Sequence, residues 1–217
     1  MIKYRALRLL DKERLIVTGP LDKARWNYSP VLSLLERTRF RLIVRLIGTQ
    51  PYDDVLEIGY GSGIFLPELQ RRSVRLHGVD IHPHAGAVQL ALAEVGVQAS
   101  LHSASAESIP LDPGSIDLIV SVSTLEYVAD KRRAASEMRR VLRPHGRLAV
   151  VYPLRHVISD IGLKLLTGES AKQYGDGRRT LLPTLRETFS LIRRIRFPAW
   201  MPPPLQVYEA ALLAPRE

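Results

Sequence analysis

The 217-residue chain contains no cysteine, which excludes a disulfide scaffold, a thiolate nucleophile and any thiolate metal site. No apolar run approaches the roughly 20 residues that a bilayer-spanning helix needs. The start, Met1-Ile2-Lys3-Tyr4-Arg5, is charged and is followed by Lys12 and Arg14 rather than by a signal-type apolar block, so the default expectation is a soluble, cytoplasmic protein. Internal repeats are absent as well. Acidic side chains are scarce at both ends: residues 1–50 hold 11 basic and 4 acidic groups, and residues 131–217 hold 17 and 7. Residues 51–130 reverse the balance with 3 and 11, leaving a formal net charge of +9. Basic flanks around an acidic middle attract polyanions or an anionic membrane surface, although arginine, which supplies most of the basic groups, serves equally well as a solvated, salt-bridging surface.

What is present suits one compact domain with a small appendage: 24.4 kDa, 46% hydrophobic and 24% charged residues. Residues 1–19 have no clean period and read as a loose arm. A strongly periodic stretch follows, with Leu32, Leu35, Phe40, Ile43, Val44, Leu46 and Ile47 between Arg37, Arg39, Arg41 and Arg45. It predicts an amphipathic helix with Ser29 as N-cap, Pro30 at its first position and Gly48 just past its end. Beyond residue 50 the texture changes. Val55–Ile58, Leu76–Asp80, Ile116–Val120 and Arg147–Tyr152 read as buried parallel strands, and Pro67–Arg72, His84–Val95 and Lys131–Leu142 as the helices between them. Two late apolar runs, Phe189–Phe197 and Gln206–Leu213, predict a closing antiparallel pair. The expectation is an α/β fold with a doubly wound, mostly parallel, Rossmann-like sheet of seven strands, the last antiparallel, whose ligand site lies at the carboxyl ends of its strands. Residues 1–50 would form an arm and helical lid, 51–217 the main domain, and 154–186 an insertion between strands five and six.

The most informative stretch is Glu57-Ile58-Gly59-Tyr60-Gly61-Ser62-Gly63, a strand entering a glycine-rich turn. Glycines there allow a sharp turn and a close approach of backbone to ligand. A dinucleotide fingerprint needs its third glycine one residue later, so a nicotinamide dehydrogenase is disfavoured. Asp80, 21 residues past Gly59 at the end of the next strand, is placed to accept both hydroxyls of a ribose. An acid at Glu57 disfavours a pyrophosphate and suits a positively charged ligand without phosphate, a description met by S-adenosylmethionine.

These segments, together with Gly78-Val79-Asp80-Ile81, Ala106-Glu107-Ser108-Ile109-Pro110 through Ser121, Leu125-Glu126-Tyr127-Val128 and Met138 through Leu148, resemble in order and spacing the class I S-adenosylmethionine-dependent methyltransferases, in their small-molecule and lipid branch. The resemblance covers about residues 53–152. It implies that Gly59, Gly61 and Gly63 pass under the methionine part of the cofactor, that Asp80 binds the ribose, and that Ile81, His82 and the turn Ser105-Ala106-Glu107 lie by the adenine. Glu57 and Tyr60 flank the same pocket, and Ser121 and Ser123 would face the sulfonium. Three positions depart from the family pattern: Tyr60 replaces a small residue, Ser105 replaces the acid that binds the adenine amine, and Tyr127 replaces a histidine.

Each assignment has a plainer alternative. Ser121 or Ser123 could cap the next helix, and Tyr127 could simply close the pocket. His82-Pro83-His84 lacks a third metal ligand and reads as surface or adenine-side groups, so no metal is expected. Candidate proton acceptors are Glu126, Tyr127 and His156, the last beside Asp160. Candidate acceptor-binding groups are Tyr28, Tyr174 and Arg178, and Trp26-Asn27-Tyr28 is either a lid or core. The implied activity is methyl transfer to a small-molecule or lipid-linked, anionic acceptor, with peripheral contact to the inner membrane face. Weighed beside it are RNA methylation, for which no amino-methylating motif is present, and an inactive cofactor-binding partner subunit.

Overall fold

A computed structural model describes residues 6–20, 22–154 and 177–216. The sheet has seven strands: β1 Tyr52–Ile58, β2 Ser73–Asp80, β3 Ser100–Ser103, β4 Ile116–Val122, β5 Leu142–Pro153, β6 Phe189–Phe197 and β7 Tyr208–Pro215. Their order is β3-β2-β1-β4-β5-β7-β6. β1 to β5 are parallel, and β7 runs antiparallel to both β5 and β6. The central strands β1 and β4 are buried almost throughout, as continuous apolar runs in a two-faced parallel sheet must be. β5 begins five residues before the run that signalled it, and its pairing with β4 shifts register between Ile116 and Leu118 to absorb the extra length.

The helices are α1 Ser33–Ile47, α2 Leu66–Gln70, α3 Ala85–Ala93, α4 Lys131–Val141 and α5 Gly177–Thr188. α1 starts later than its sequence signals: the Ser29 hydroxyl accepts from the Val31 and Leu32 amides, capping a turn that precedes the helix. At its other end Gly48, at φ +73°, donates to the Val44 carbonyl, a left-handed stop that glycine adopts without a Cβ clash. α4 is capped by Asp130, whose carboxylate accepts from the Arg133 amide.

Two apolar layers cover the sheet. Phe40 of α1 stacks on Phe65 at 4.4 Å and shares one face with Val88 and Leu92 of α3. The other face packs Ala134, Ala135 and Met138 of α4 with Leu181, Leu182 and Leu185 of α5. The N-terminal arm is not loose: Leu10 is buried, its amide donates to the Ile64 carbonyl, and its own carbonyl accepts from the Tyr28 hydroxyl. Arg8 donates its amide to Glu68. At the amino ends of the strands, buried Asp54 accepts from Arg75 at 2.6 and 2.5 Å and from Arg143 at 2.9 Å, which holds its carboxyl well below the usual carboxylate range. This junction lies opposite the carboxyl ends, where the ligand-facing loops gather.

Candidate active site

The turn after β1 is shaped by three left-handed glycines, Gly59 (φ +80°), Gly61 (φ +51°) and Gly63 (φ +75°). A Cβ on Gly59 would fall on the Thr124 side chain, and one on Gly63 would meet Val88 at 2.9 Å, so packing as well as φ demands glycine at both. The Gly61 amide donates to Asp80 Oδ2 at 2.8 Å, which ties the end of β2 to the loop. His82 Nδ1 accepts from the His84 amide at 3.1 Å, leaving Nε2–H to donate to the Gly61 carbonyl at 3.0 Å. Both ring nitrogens are thereby committed to backbone. Tyr60 turns away from the loop and lies on Gly78, where a Cβ would come within 2.8 Å of its ring, and it meets His82 edge-on at 4.9 Å. A glycine in β2 is what accommodates the unusual bulk at position 60. Burial, reinforced by the charge on Asp80, pushes the Tyr60 hydroxyl up to about 12.

These groups open onto a cavity of about 620 Å³ at the carboxyl ends of β1, β2, β4 and β5. Its wall includes Glu57, the glycine loop, Asp80, Ile81, His82, Ser123 and Thr124. It also includes α1 (Leu32, Leu35, Glu36, Arg39, Phe40), the segment Thr18–Asn27, Tyr127, Arg178 and Tyr208. Glu57 is 2% exposed, and its Oε2 has no hydrogen-bond partner among the described residues. Burial, and secondarily the Asp80 charge, pushes its carboxyl up to about 8. Ser123 holds φ +52°, a strained position for a side-chain-bearing residue, pinned by its amide on the Val151 carbonyl.

Of the residues proposed from sequence, Glu57, Gly59, Tyr60, Gly61, Asp80, Ile81, His82, Ser123, Tyr127 and Arg178 line this cavity. Gly63 sits behind the loop, and Ser121 is buried within β4 off the wall. Ser105, Ala106 and Glu107 do not reach the wall: Ser105 Oγ accepts from the Glu107 amide, and Glu107 Oε1 accepts from the Asp130 amide at 2.8 Å, binding the turn to the start of α4. Glu126 is 3% exposed, and neither carboxylate oxygen has a hydrogen-bond partner among the described residues. Burial pushes it up to about 7 against the opposing charges of Arg178, Arg39 and Lys131. Tyr28 faces Leu10 and lies under the Arg37 guanidinium, off the wall. His156 and Tyr174 fall outside the described residues. Sequence reasoning missed Glu36, Arg39 and Tyr208 as cavity residues. The signal for the first two was a Glu–Arg pair at i, i+3 on the apolar side of α1, next to Phe40 and Ile43.

The Glu57 and Asp80 side chains fit a nucleoside-bearing cation. Asp80 is aimed by one backbone amide and keeps acceptor capacity toward the cavity, as a ribose diol requires. Glu57 is an orphaned buried acid that a positive group would complement. Ile81, 81% exposed at the rim, offers an apolar surface to a base.

Comparison with known proteins agrees with this chemistry. A family described as "Methyltransferase domain" matches residues 56–150. An uncharacterized methyltransferase of Mycobacterium tuberculosis (strain H37Rv) is 34% identical over 145 residues, which cover 64% of this chain and 55% of that protein. The chain spans between 38% and 55% of the length of such mycobacterial relatives. Among solved structures, the N-methyltransferase NodS from Bradyrhizobium japonicum WM9, in complex with S-adenosyl-L-homocysteine, superposes with a TM-score of 0.63 at 22% identity, covering 91% of this chain and 94% of NodS. Geranyl diphosphate C-methyltransferase from Streptomyces coelicolor A3(2) superposes with a TM-score of 0.66 at 15% identity, covering 95% and 89%. At these identities the structural likeness speaks to the fold.

Proposed function

We propose that this chain carries a class I S-adenosylmethionine-dependent methyltransferase domain and that it transfers a methyl group from S-adenosylmethionine to a small-molecule or lipid-linked acceptor. The observation that carries the reading is the convergence of two acids on one cavity: Asp80, held by the Gly61 amide, and Glu57, whose buried Oε2 has no hydrogen-bond partner among the described residues.

When bound, S-adenosylmethionine supplies a methyl group on a positively charged sulfur leaving group. The chain's own residues bind and align. Asp80 accepts from the ribose hydroxyls, Glu57 complements the cofactor's positive charge, and the Gly59–Gly63 turn lets backbone approach the methionine portion. Ile81 and His82, with the Ser105–Glu107 turn and Ser121 and Ser123 behind and beside the pocket, complete the proposed cofactor surroundings. Displacement at carbon is governed by alignment of donor and acceptor, and positioning alone is worth up to roughly 7–11 kcal/mol. The segment through Trp26 and Asn27, which lines the cavity from the N-terminal side, acts as a lid that excludes water. A hydroxyl acceptor must also lose its proton. Of the proposed proton acceptors, Tyr127 lines the cavity, whereas Glu126, pushed up to about 7, is buried behind the wall and would receive the proton only by relay; His156 is the third candidate. No described helix is long and apolar enough to cross a membrane.

The test is isothermal titration of the protein with S-adenosylmethionine and S-adenosylhomocysteine, in parallel with Asp80→Ala. Micromolar binding that the substitution abolishes is expected, followed by labelled-methyl transfer into lipid and metabolite extracts. A wild-type chain that binds neither compound overturns the assignment.

A further inference from the structure

The cavity carries basic groups as well as Glu57 and Asp80. Arg39 of α1 and Arg178 at the start of α5 both line it, with side chains drawn from opposite ends of the chain. Their burial is deep: Arg178 is 7% exposed, and the Arg39 side chain is 15% exposed. Both side chains line the same cavity, and the charges of both act on the Glu126 carboxyl and the Tyr208 hydroxyl. Arg39 is oriented by Glu36, which accepts from Nη2 through its carboxylate at 2.5 Å and from Nε through its carbonyl at 3.2 Å. Those two bonds use two of five N–H donors. Arg178 is brought to the wall by its neighbour: a Cβ on Gly177 would collide with the Glu126 carbonyl, so the first turn of α5 closes on Glu126 only because position 177 is glycine.

Burying two guanidinium groups beside a cavity does not serve stability, since well-packed apolar side chains of similar size commonly do as well or better. The planar fork of arginine matches carboxylate and phosphate oxygens two at a time. Leu32 and Leu35 of α1 add apolar surface to the same cavity.

We propose that Arg39 and Arg178 form the head-group site for the methyl acceptor, and that the acceptor is an amphipathic anion with an apolar body ending in a carboxylate or phosphate. This rests on the methyltransferase reading for the word acceptor, but the anion site stands on the arginine pair alone. The carboxylates nearby do not make it a cation site. Glu36 is already engaged by Arg39, and Glu126 is buried off the cavity wall.

The experiment uses the full chain in about 0.15 M salt, where interactions between exposed charges are largely screened. Octanoate, octyl phosphate, octanol and octyltrimethylammonium are titrated into protein with and without S-adenosylhomocysteine. Both anions are expected to bind at least about tenfold tighter than octanol, the factor for one charge-assisted hydrogen bond. Whichever anion binds tighter identifies the head group. Arg39→Gln and Arg178→Gln should each erase that preference while S-adenosylhomocysteine affinity is kept. Arg193→Gln, on exposed β6, should change nothing. Equal binding of octanol and octanoate, tighter binding of the cation, or unchanged anion affinity in both cavity variants overturns the proposal. If a glutamine variant fails to fold, the wild-type comparison of octanoate with octanol decides. A chain that binds the anions but not S-adenosylhomocysteine keeps this site and loses the methyltransferase reading. One that binds S-adenosylhomocysteine without anion preference does the reverse.

Discussion

Gly61 and Asp80 hold each other in place: the glycine amide donates to Asp80 Oδ2 at 2.8 Å, while the Gly61 carbonyl accepts a hydrogen bond from His82 Nε2 at 3.0 Å two residues beyond the acid. The carboxylate is thus aimed by the loop it serves. Asp80→Asn keeps one acceptor oxygen but loses the charge, so S-adenosylhomocysteine affinity should fall about tenfold, against roughly 100-fold for Asp80→Ala. Titration calorimetry checks the order, and equal losses would mean the charge is irrelevant.

Glu57 gives the protein a pH signature. Its carboxyl sits near 8 in the fold against an ordinary 4.5, so between those values the native state keeps a proton that the unfolded chain has released. Stability therefore falls as pH rises through that window. Glu57→Gln should match the wild type near pH 4.5 and exceed it at pH 8, each kcal/mol appearing as about 2–4 °C in Tm. A bound cation favours the ionised acid, so wild-type cofactor affinity should rise with pH over the same range, with proton release, and the variant should bind more weakly and without that slope. Thermal melts and titrations in buffers of different ionisation enthalpy test both halves.

Gly59 is constrained twice, by φ +80° and by the Thr124 side chain lying where a Cβ would go. Gly59→Ala should cost more than about 2 kcal/mol and abolish cofactor binding. Thr124→Ala should not rescue it, because the remaining Thr124 Cβ would still lie 2.5 Å from the new methyl group. Chemical denaturation of the three variants is the measurement, and a well-folded double variant would contradict this geometry.

The two tryptophans report separately. Trp26 lines the cavity under the Lys23 ammonium, whereas Trp200 is 81% exposed between β6 and β7. Ligand-induced change in fluorescence should survive Trp200→Phe and vanish in Trp26→Phe. A signal that follows Trp200 instead would remove the Thr18–Asn27 segment from the binding event.

The glycine turn, Glu57 and Asp80 were legible because each is a residue type demanded at a fixed distance from a strand end, and the long buried strands announced themselves by apolar runs. β3 was not, since Ser100-Leu101-His102-Ser103 carries a single apolar residue and becomes a strand only by pairing with β2. The burial of the arm around Leu10 was hidden for the same reason: its partners, Ile64 and Tyr28, are distant in sequence. The sequence pattern of α1 identified its arginines as basic but not which of them turn inward. Arg41 and Arg45 are exposed while Arg39 faces the cavity, a distinction set by what the helix packs against.

α1 stacks Phe40 on Phe65 beneath the sheet and, one turn earlier, presents Glu36 to the cavity. One rigid rod therefore reads both the state of the core and the contents of the pocket. A ligand seated against Arg39 and Glu36 would therefore bear on the same helix that Phe40 fixes to Phe65. By linkage, a ligand that binds only the seated helix would stabilise it, and a substitution that loosens the Phe40–Phe65 contact is expected to weaken binding.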